Sequence, residues 1–131
     1  HYETSMKFMA WRKESKLSPI KSSNTYGIPY SDPKTVKPED FRFDLCGSID
    51  QDVPENNYGI TTKTIPAGRC AVIRHTGDRD NLSESVYYLY REWLPKNNAE
   101  CREFPVFFHY VNFSHDVNEH ELLTDIYLPI K

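Results

Sequence analysis

The residues best suited to chemistry in this sequence are aromatic and acidic side chains in two C-terminal segments. Phe108 and Tyr110 are two positions apart, and so are Asp125 and Tyr127. In a strand, this spacing places both members of each pair on one face. Aromatic faces attract organic cations by about 0.5 to 2 kcal/mol each and also stack on flat neutral molecules. If these faces line a cleft, the sequence predicts binding of an aromatic or cationic small molecule.

The same side chains have structural alternatives that the sequence leaves open. Tyr and Phe rings also fill protein cores. A carboxylate such as Asp125 or Asp44 is either a counter-charge for a bound cation or the partner of a nearby arginine, Arg42 or Arg74. Glu92 is expected to be a surface charge, although it could swing toward a cleft.

Spacings typical of catalytic or metal centres are missing from the sequence. The five histidines form no HxxxH or HExxH pair, and the three cysteines form no CxxC pair. A GxSxG nucleophile elbow is absent, and five glycines leave little for a phosphate-binding loop. We therefore predict no catalytic residue, no metal site and no cofactor.

The composition indicates one small domain over residues 1–131. Sixteen basic residues against 19 acidic ones give a net charge of −3, which argues against direct nucleic-acid binding. Aromatic residues make up 14% of the chain and can build a core. With no long apolar run or signal pattern, the expected location is the cytoplasm, away from membranes.

The elements that must position these residues follow from hydrophobic periodicity and turn signals. In the front half we predict an amphipathic helix over 1–11 with apolar Met6, Met9 and Ala10, and strands over 24–30 and 41–46. In the back half we predict strands over 60–65 and 69–75 as a hairpin, a helix from Asn81 to Pro95 with a capping box to Glu84, and strands over 104–111 and 122–130. The fold class is α+β with antiparallel strands.

A faint internal repeat divides the chain into a front module, 1–49, and a back module, 58–131. Each follows a strand-helix-strand-strand order, except that the first strand of the front module is missing. This predicts either a truncated chain or a sheet one strand short. The free sheet edge favours pairing with a second copy in a homodimer or with a strand from upstream of His1.

Five segments in the same order match those of a known family. They are Tyr-Gly-Ile-Pro-Tyr-Ser-Asp-Pro (26–33), Arg-Phe-Asp-Leu-Cys (42–46), Ile-Pro-Ala-Gly-Arg-Cys-Ala-Val-Ile-Arg-His-Thr-Gly (65–77), Leu-Tyr-Arg-Glu-Trp-Leu-Pro (89–95) and Leu-Leu-Thr-Asp-Ile-Tyr-Leu-Pro-Ile (122–130). The chain resembles the GyrI-like, AraC-type (Rob-like) effector-binding domains over nearly its whole length. The resemblance implies two pseudo-symmetric modules, a curved antiparallel sheet with two main helices, and a central ligand cleft.

The resemblance also implies a ligand, an amphipathic and often cationic small molecule, and a set of site residues. Trp93 matches the family's cleft-side tryptophan, and Trp11 and Tyr30 hold related places in the front module. The predicted ligand-binding residues are Trp93, Phe108, Tyr110, Tyr127, Asp125, Tyr30 and Trp11.

One departure from the family pattern weakens the case for cations. The family usually has Pro-x-Phe-Glu-x-Tyr before the final loop, with the glutamate as counter-charge in the cleft. Here that position is Phe108. Asp44, Glu92 or Asp125 would have to replace the missing acid.

We therefore expect a small-molecule-binding module, either free-standing or the effector domain of a transcription regulator. The alternative is a protein-interaction module of the gyrase-inhibitor type, which would act through the acidic segment 39–55. A hydrolase dependent on Asp125 or Glu92 is disfavoured, because the acid at position 108 is lost.

Overall fold

The computed structural model describes residues 2–131. Its elements in chain order are α1 (Tyr2–Ser15), β1 (Thr25–Pro29), β2 (Phe43–Gly47), β3 (Cys70–Thr76), α2 (Leu82–Tyr88), a π-helical turn (Leu89–Trp93), α3 (Leu94–Lys96), β4 (Phe107–Tyr110) and β5 (Leu123–Pro129). Short 3₁₀ turns cover Pro38–Asp40, Arg79–Asn81 and Glu119–Glu121. The helical stretch 82–96 is continuous and is called the second helix below.

The five strands form one antiparallel sheet in the order β2-β1-β4-β5-β3. Phe108 lies opposite Gly27 on one side and opposite Ile126 on the other, so these positions share a face. The expected fold class, α+β with a curved antiparallel sheet and two main helices, is confirmed.

Both helices cover the sheet face that carries Gly27, Phe108 and Ile126, called the helix face. From α1, Arg12 reaches across to Thr25 of β1. From the second helix, Leu82 and Leu89 join the buried core with sheet residues. That core consists of Ala71, Leu82, Leu89, Val106, Phe108, Ile126, Leu128 and Ile130.

The opposite face, called the back face, carries Tyr26, Phe107 and Tyr127 and is crossed by the segment 48–69. A second cavity of about 830 Å³ lies between this segment and the sheet, lined by Tyr26 and Phe107 from the sheet and by Asp50 and Ile65 from the segment.

Two expectations about the helices were wrong in detail. α1 exists, but Met6 and Met9 are 54% and 40% exposed, whereas Phe8, Trp11 and Arg12 are buried. The buried stripe therefore includes a charged residue, which hydrophobic periodicity counts as polar. In the second helix Asn81 makes no side-chain cap; instead Asp78 accepts the Asp80 N–H and caps the preceding 3₁₀ turn.

Pro95 does not end the second helix, because it occupies the start of the last helical turn, Leu94–Lys96. Since the helical stretch is continuous, Pro95 lies in its last turn, where the missing N–H leaves one helical hydrogen bond unmade. Just before it, the N–H of Leu94 donates to the carbonyl of Leu89, five residues earlier, which makes this turn one residue wider than an α-helical turn.

The predicted strand over 60–65 is not formed, so the expected hairpin with 69–75 is also absent from the described chain. The Thr-rich segment has strand propensity but pairs with no other strand in residues 2–131. Its contacts are of another kind: Thr62 Oγ1 accepts the N–H of Val53 at 2.9 Å, and Lys63 reaches Asp44.

The front part of the described chain supplies two strands and the back part three. The strand order places β2 at one edge of the sheet, and no strand within residues 2–131 pairs with its outer side.

Candidate functional site

A cleft of about 1020 Å³ lies on the helix face between α1 and the second helix. Its lining is largely apolar and aromatic. The main contributors are Met9 from α1, Phe43, Leu45, Phe108 and Tyr110 from the sheet, and Leu82, Val86, Tyr87 and Tyr90 from the second helix. A volume of this size is typical of sites for drug-sized molecules.

Gly27 leaves room for two aromatic side chains at the floor of the cleft. A Cβ atom at this position would collide with the Tyr110 hydroxyl and with the ring tip of Phe43. Both side chains line the cleft, so the missing side chain at position 27 lets them approach the backbone of β1.

Arg79 brings a positive charge to one end of the cleft. Its Nε donates to Thr124 Oγ1 at 2.7 Å, and its Nη2 donates to the carbonyls of Asn112 and Leu123 at 2.8 and 2.9 Å. The guanidinium lies over the Tyr110 ring, 4.9 Å from its centroid. Burial lowers the pKa of Arg79, but a guanidinium stays protonated at any physiological pH.

Arg12 is a second positively charged residue of the lining, and it exposes only 2% of its surface. Its guanidinium donates to the Ser18 carbonyl at 2.6 Å, to Thr25 Oγ1 at 2.7 Å and to Ser23 Oγ at 2.9 Å. All these acceptors are neutral, and no ion pair involves Arg12 among the described residues. Desolvation lowers its pKa.

Tyr110 supplies a hydroxyl to the cleft, over Gly27 of β1. Burial raises the pKa of Tyr110 to about 12, so the hydroxyl keeps its proton and can donate a hydrogen bond at neutral pH. Within residues 2–131 this hydroxyl has no hydrogen-bond partner.

The acidic residues of the lining are Asp32, which is partly buried, and Asp80. Asp32 accepts a hydrogen bond from the Tyr87 hydroxyl, and that bond is the main cause of its lowered pKa. Arg91 stacks on the same Tyr87 ring at 4.3 Å. Asp80, the other carboxylate of the lining, is exposed.

Three of the seven predicted ligand-binding residues line this cleft: Phe108, Tyr110 and Tyr30. Period-two spacing correctly put Phe108 and Tyr110 on one face. The Tyr30 hydroxyl donates to Asp44 Oδ2 at 2.7 Å, which ties its ring to β2 at the cleft edge.

The two tryptophans lie outside the lining. Trp11 is buried beneath α1 and stacks on Phe8 with centroids 6.2 Å apart. Trp93 is half-buried and packs against the core. Each helix therefore directs its tryptophan toward packing partners, and the cleft is lined instead by Met9, Val86 and Tyr90.

Asp125 and Tyr127 share a face as predicted, but it is the back face. Tyr127 stacks on Phe107 with centroids 5.0 Å apart. Arg74 donates to both Asp125 oxygens, at 2.7 and 3.0 Å, so the alternative of an arginine partner is the one observed. Neither residue reaches the cleft, because the sheet stands between them and it.

The other candidate replacements for the missing family acid are also outside the cleft lining. Asp44 lies on the back face, where Lys63 and Tyr30 contact it. Burial would raise the Asp44 pKa, but the hydrogen bonds from Lys63 and Tyr30 outweigh it, and the pKa is lowered. Glu92 is exposed on the second helix. None of the three carboxylates occupies the floor around Phe108.

Asp125→Asn is expected to leave ligand affinity unchanged within twofold, because the carboxylate faces away from the cleft. Hydrogen bonds from Arg74 lower the Asp125 pKa below its ordinary 3.8. A carboxyl with a lowered folded-state pKa stabilises the protein above its unfolded-state pKa, and the contribution disappears as pH falls through the folded-state value. Because Arg74 is half exposed, we expect a loss of about 0.5 to 1 kcal/mol at pH 7.

Urea denaturation at pH 7 and pH 3 checks the expected loss of stability, with Asp116→Asn as an exposed-acid control. A stability difference between Asp125→Asn and the unaltered chain that grows on acidification would contradict it.

Sequence reasoning missed Arg12 and Arg79. The signal at Arg12 is faint: it lies one helical turn after Phe8, on the buried stripe of α1. Arg79 carries no local signal, since its hydrogen-bond partners lie 33 to 45 residues further along the chain.

The described residues hold no group of three or more His, Cys, Asp or Glu side chains placed to bind a metal ion. No helix within residues 2–131 combines the length and the apolar character needed to cross a membrane.

Comparison with known proteins identifies relatives of this chain. The family profile of the GyrI-like small molecule binding domain matches residues 3–131. The probable transcriptional regulator YgiV of Escherichia coli strain K12 is 44% identical over 124 residues, which cover 95% of this chain and 78% of YgiV. Its counterpart from Escherichia coli O157:H7 is 43% identical over the same length.

Solved structures show the same fold at low sequence identity. The crystal structure of the EcmrR C-terminal domain matches with a TM-score of 0.72 at 18% identity, covering 98% of this chain and 77% of that one. A cryo-EM structure of an EcmrR–DNA complex matches with a TM-score of 0.73 at 18% identity, covering 94% of this chain and 46% of the other.

These relatives confirm the resemblance seen in the sequence motifs and do not favour the protein-interaction alternative. The family takes its description from the binding of small molecules, which agrees with a cleft lined by aromatic side chains. The chain belongs to the GyrI-like small-molecule-binding domains.

Proposed function

We propose that the cleft between α1 and the second helix binds amphipathic aromatic molecules, and that the chain acts as the effector-binding module of a transcriptional regulator. The observation that carries the proposal is the cleft itself, a volume of about 1020 Å³ walled by aromatic and aliphatic side chains. Burying an aromatic ligand there gains roughly 25 cal/mol per Å² of apolar surface removed from water. Ring stacking on Tyr90 and Phe108 adds to this gain.

The regulatory part of the proposal rests on the relatives. YgiV, at 44% identity, is named a probable transcriptional regulator. The match to the EcmrR–DNA complex covers 46% of that chain, so more than half of EcmrR lies outside the shared domain. We extend this division to the present chain: it binds the ligand in the cytoplasm, and DNA contact belongs to another part of the regulator.

Val86→Trp is the sharpest test of the cleft. Val86 is half-buried on the second helix and lines the cleft, so an indole at this position takes up space that the ligand needs. We expect the affinity for a neutral aromatic dye, Nile red, to fall at least tenfold in fluorescence titrations.

Val72→Trp is the matched control. Val72 lies in β3 on the back face and is 51% exposed, so the same substitution there is expected to leave Nile red affinity within twofold. Equal affinity for Val86→Trp and Val72→Trp would place dye binding elsewhere and contradict the proposed site. Absence of dye binding by the unaltered chain would contradict the proposed function.

A further inference from the structure

We propose that this cleft selects aromatic ligands that carry an anionic group, such as a carboxylate, and that Arg79 is the residue that recognises it. The inference rests on the proposed function, since it assigns a ligand class to the same cleft. It differs from the expectation of a cationic ligand, which depended on an acid in the cleft.

The first argument is the sign of the charges in the lining. Three lining residues are arginines, Arg12, Arg79 and Arg91, and two are aspartates, Asp32 and Asp80. The one fully buried charge of the lining is positive, Arg12, and of the two partly buried charges, Arg79 and Asp32, only Arg79 has donors left over for a ligand. Charges that are screened less by water act more strongly on a ligand than charges at an exposed rim.

The second argument is the state of the two carboxylates. Asp32 is engaged by the Tyr87 hydroxyl and by the N–H of Lys34. Asp80 is exposed at the rim, where water screens it. The position at which the family usually carries a glutamate is Phe108, a ring with no charge to offer a cation.

The third argument is the geometry at Arg79. Three hydrogen bonds from Nε and Nη2 fix the guanidinium plane against β5 and the loop after β4. Among the described residues Nη1 has no hydrogen-bond partner, so its two N–H groups are available to an acceptor. A guanidinium held in place in this way loses little conformational freedom when it binds a carboxylate.

Tyr110 adds a second hydrogen-bond donor to the cleft. Its ring lies under the Arg79 guanidinium, and its hydroxyl lines the cleft without a partner in residues 2–131. A protonated phenol donates to an oxyanion but cannot neutralise a cation. Arg12 adds to the positive potential from the α1 side, while the protein's own acceptors occupy its hydrogen bonds.

Three pyrene derivatives test the inference, because they share one fluorescent aromatic body and differ in charge: 1-pyrenecarboxylate, 1-pyrenecarboxamide and 1-pyrenemethylammonium. We expect the carboxylate to bind the unaltered chain at least tenfold more tightly than the neutral amide, and the ammonium to bind most weakly. Tighter binding of the ammonium, or equal binding of carboxylate and amide, would overturn the inference and leave the proposed function intact. Failure of all three to bind would instead count against the proposed function.

Arg79→Met separates recognition of charge from support of the fold. We expect it to abolish the tenfold preference for the carboxylate while the amide affinity changes less than threefold. Arg74→Met is the matched control, because Arg74 lies on the back face in a pair with Asp125, and it should keep the preference. Unchanged charge preference in folded Arg79→Met would overturn the role of Arg79.

Tyr110→Phe provides a second variant that keeps the ring under the guanidinium and removes only the hydroxyl. We expect the preference for the carboxylate over the amide to fall about threefold. If Arg79→Met does not fold, as judged by circular dichroism, the pyrene series on the unaltered chain and on Tyr110→Phe decides the question. A preference in Tyr110→Phe equal to that of the unaltered chain would overturn the role of the Tyr110 hydroxyl as the second donor.

Discussion

Arg12→Met is expected to lower the free energy of unfolding by about 3 kcal/mol. The buried guanidinium donates to Ser18, Thr25 and Ser23 and so joins α1 and the following loop to β1. Hydrogen bonds from a charged donor contribute roughly 1.5 to 3 kcal/mol each, and the buried acceptors left behind add a desolvation cost. Methionine also removes the desolvation cost of a buried guanidinium without a charged partner, which offsets part of this loss. We therefore expect a net loss of stability well below the sum of the hydrogen-bond contributions.

Urea denaturation followed by circular dichroism measures the effect. Lys13→Met is the control, because Lys13 is the exposed neighbour on the same helix and its loss should change stability by less than about 0.5 kcal/mol. A cost for Arg12→Met below 1 kcal/mol would mean that desolvation of the guanidinium cancels its hydrogen bonds.

Ile126→Ala is expected to cost about 4 kcal/mol of stability. Ile126 exposes 0% of its surface at the centre of β5, opposite Phe108 of β4 and Ile73 of β3. Replacing a buried isoleucine by alanine loses hydrophobic transfer energy and leaves a cavity, with observed costs of roughly 2 to 5 kcal/mol. The upper part of that range applies because paired strands surround the site and limit its collapse.

Val72→Ala on the neighbouring strand is the comparison for Ile126→Ala. Val72 faces the other way and is 51% exposed, so we expect a cost below about 1 kcal/mol. Since domains of this size are typically stable by only 5 to 15 kcal/mol, Ile126→Ala should visibly lower the urea midpoint. Similar midpoints for Ile126→Ala and Val72→Ala would contradict the placement of the core.

The sequence predicted most of the sheet because alternation and turn residues are local signals. Strands near 25–29, 43–47, 70–76, 107–110 and 123–129 all coincide with predicted runs. The segment 60–65 failed for a physical reason. Its β-branched residues favour extended backbone, but a strand also needs a partner for its backbone groups, and the chain here crosses the back face without one.

Which strand face looks into the cleft could not be derived from spacing. Period two correctly grouped Phe108 with Tyr110 and Asp125 with Tyr127, but the choice of face depends on where the two helices pack. β4 and β5 are adjacent, and their register sets Phe107 opposite Tyr127. The aromatic pair of β4 and the acid of β5 therefore end on opposite sides of the sheet.

Charged groups of the site were the hardest to predict. Arg79 and Arg12 look like ordinary surface charges in the sequence, because their acceptors are backbone carbonyls and hydroxyls brought close only by the fold. Motif comparison identified the position of the absent family acid at Phe108, yet it could not indicate that three arginines and two aspartates line the cleft.

The wide turn at Leu89–Trp93 has a consequence for how this binding site can evolve. Such a turn accommodates one more residue than an α-helical turn, so a single-residue deletion there would restore a regular helix without rotating its two ends. Leu82 and Leu94 would keep their packing in the core, while the segment holding Tyr90 and Arg91 would lose its extra residue at the cleft wall. Deletion of Tyr90 or Arg91, the exposed residues of this turn, thus offers a route to new ligand specificity that retains Leu89 and Trp93 for the core.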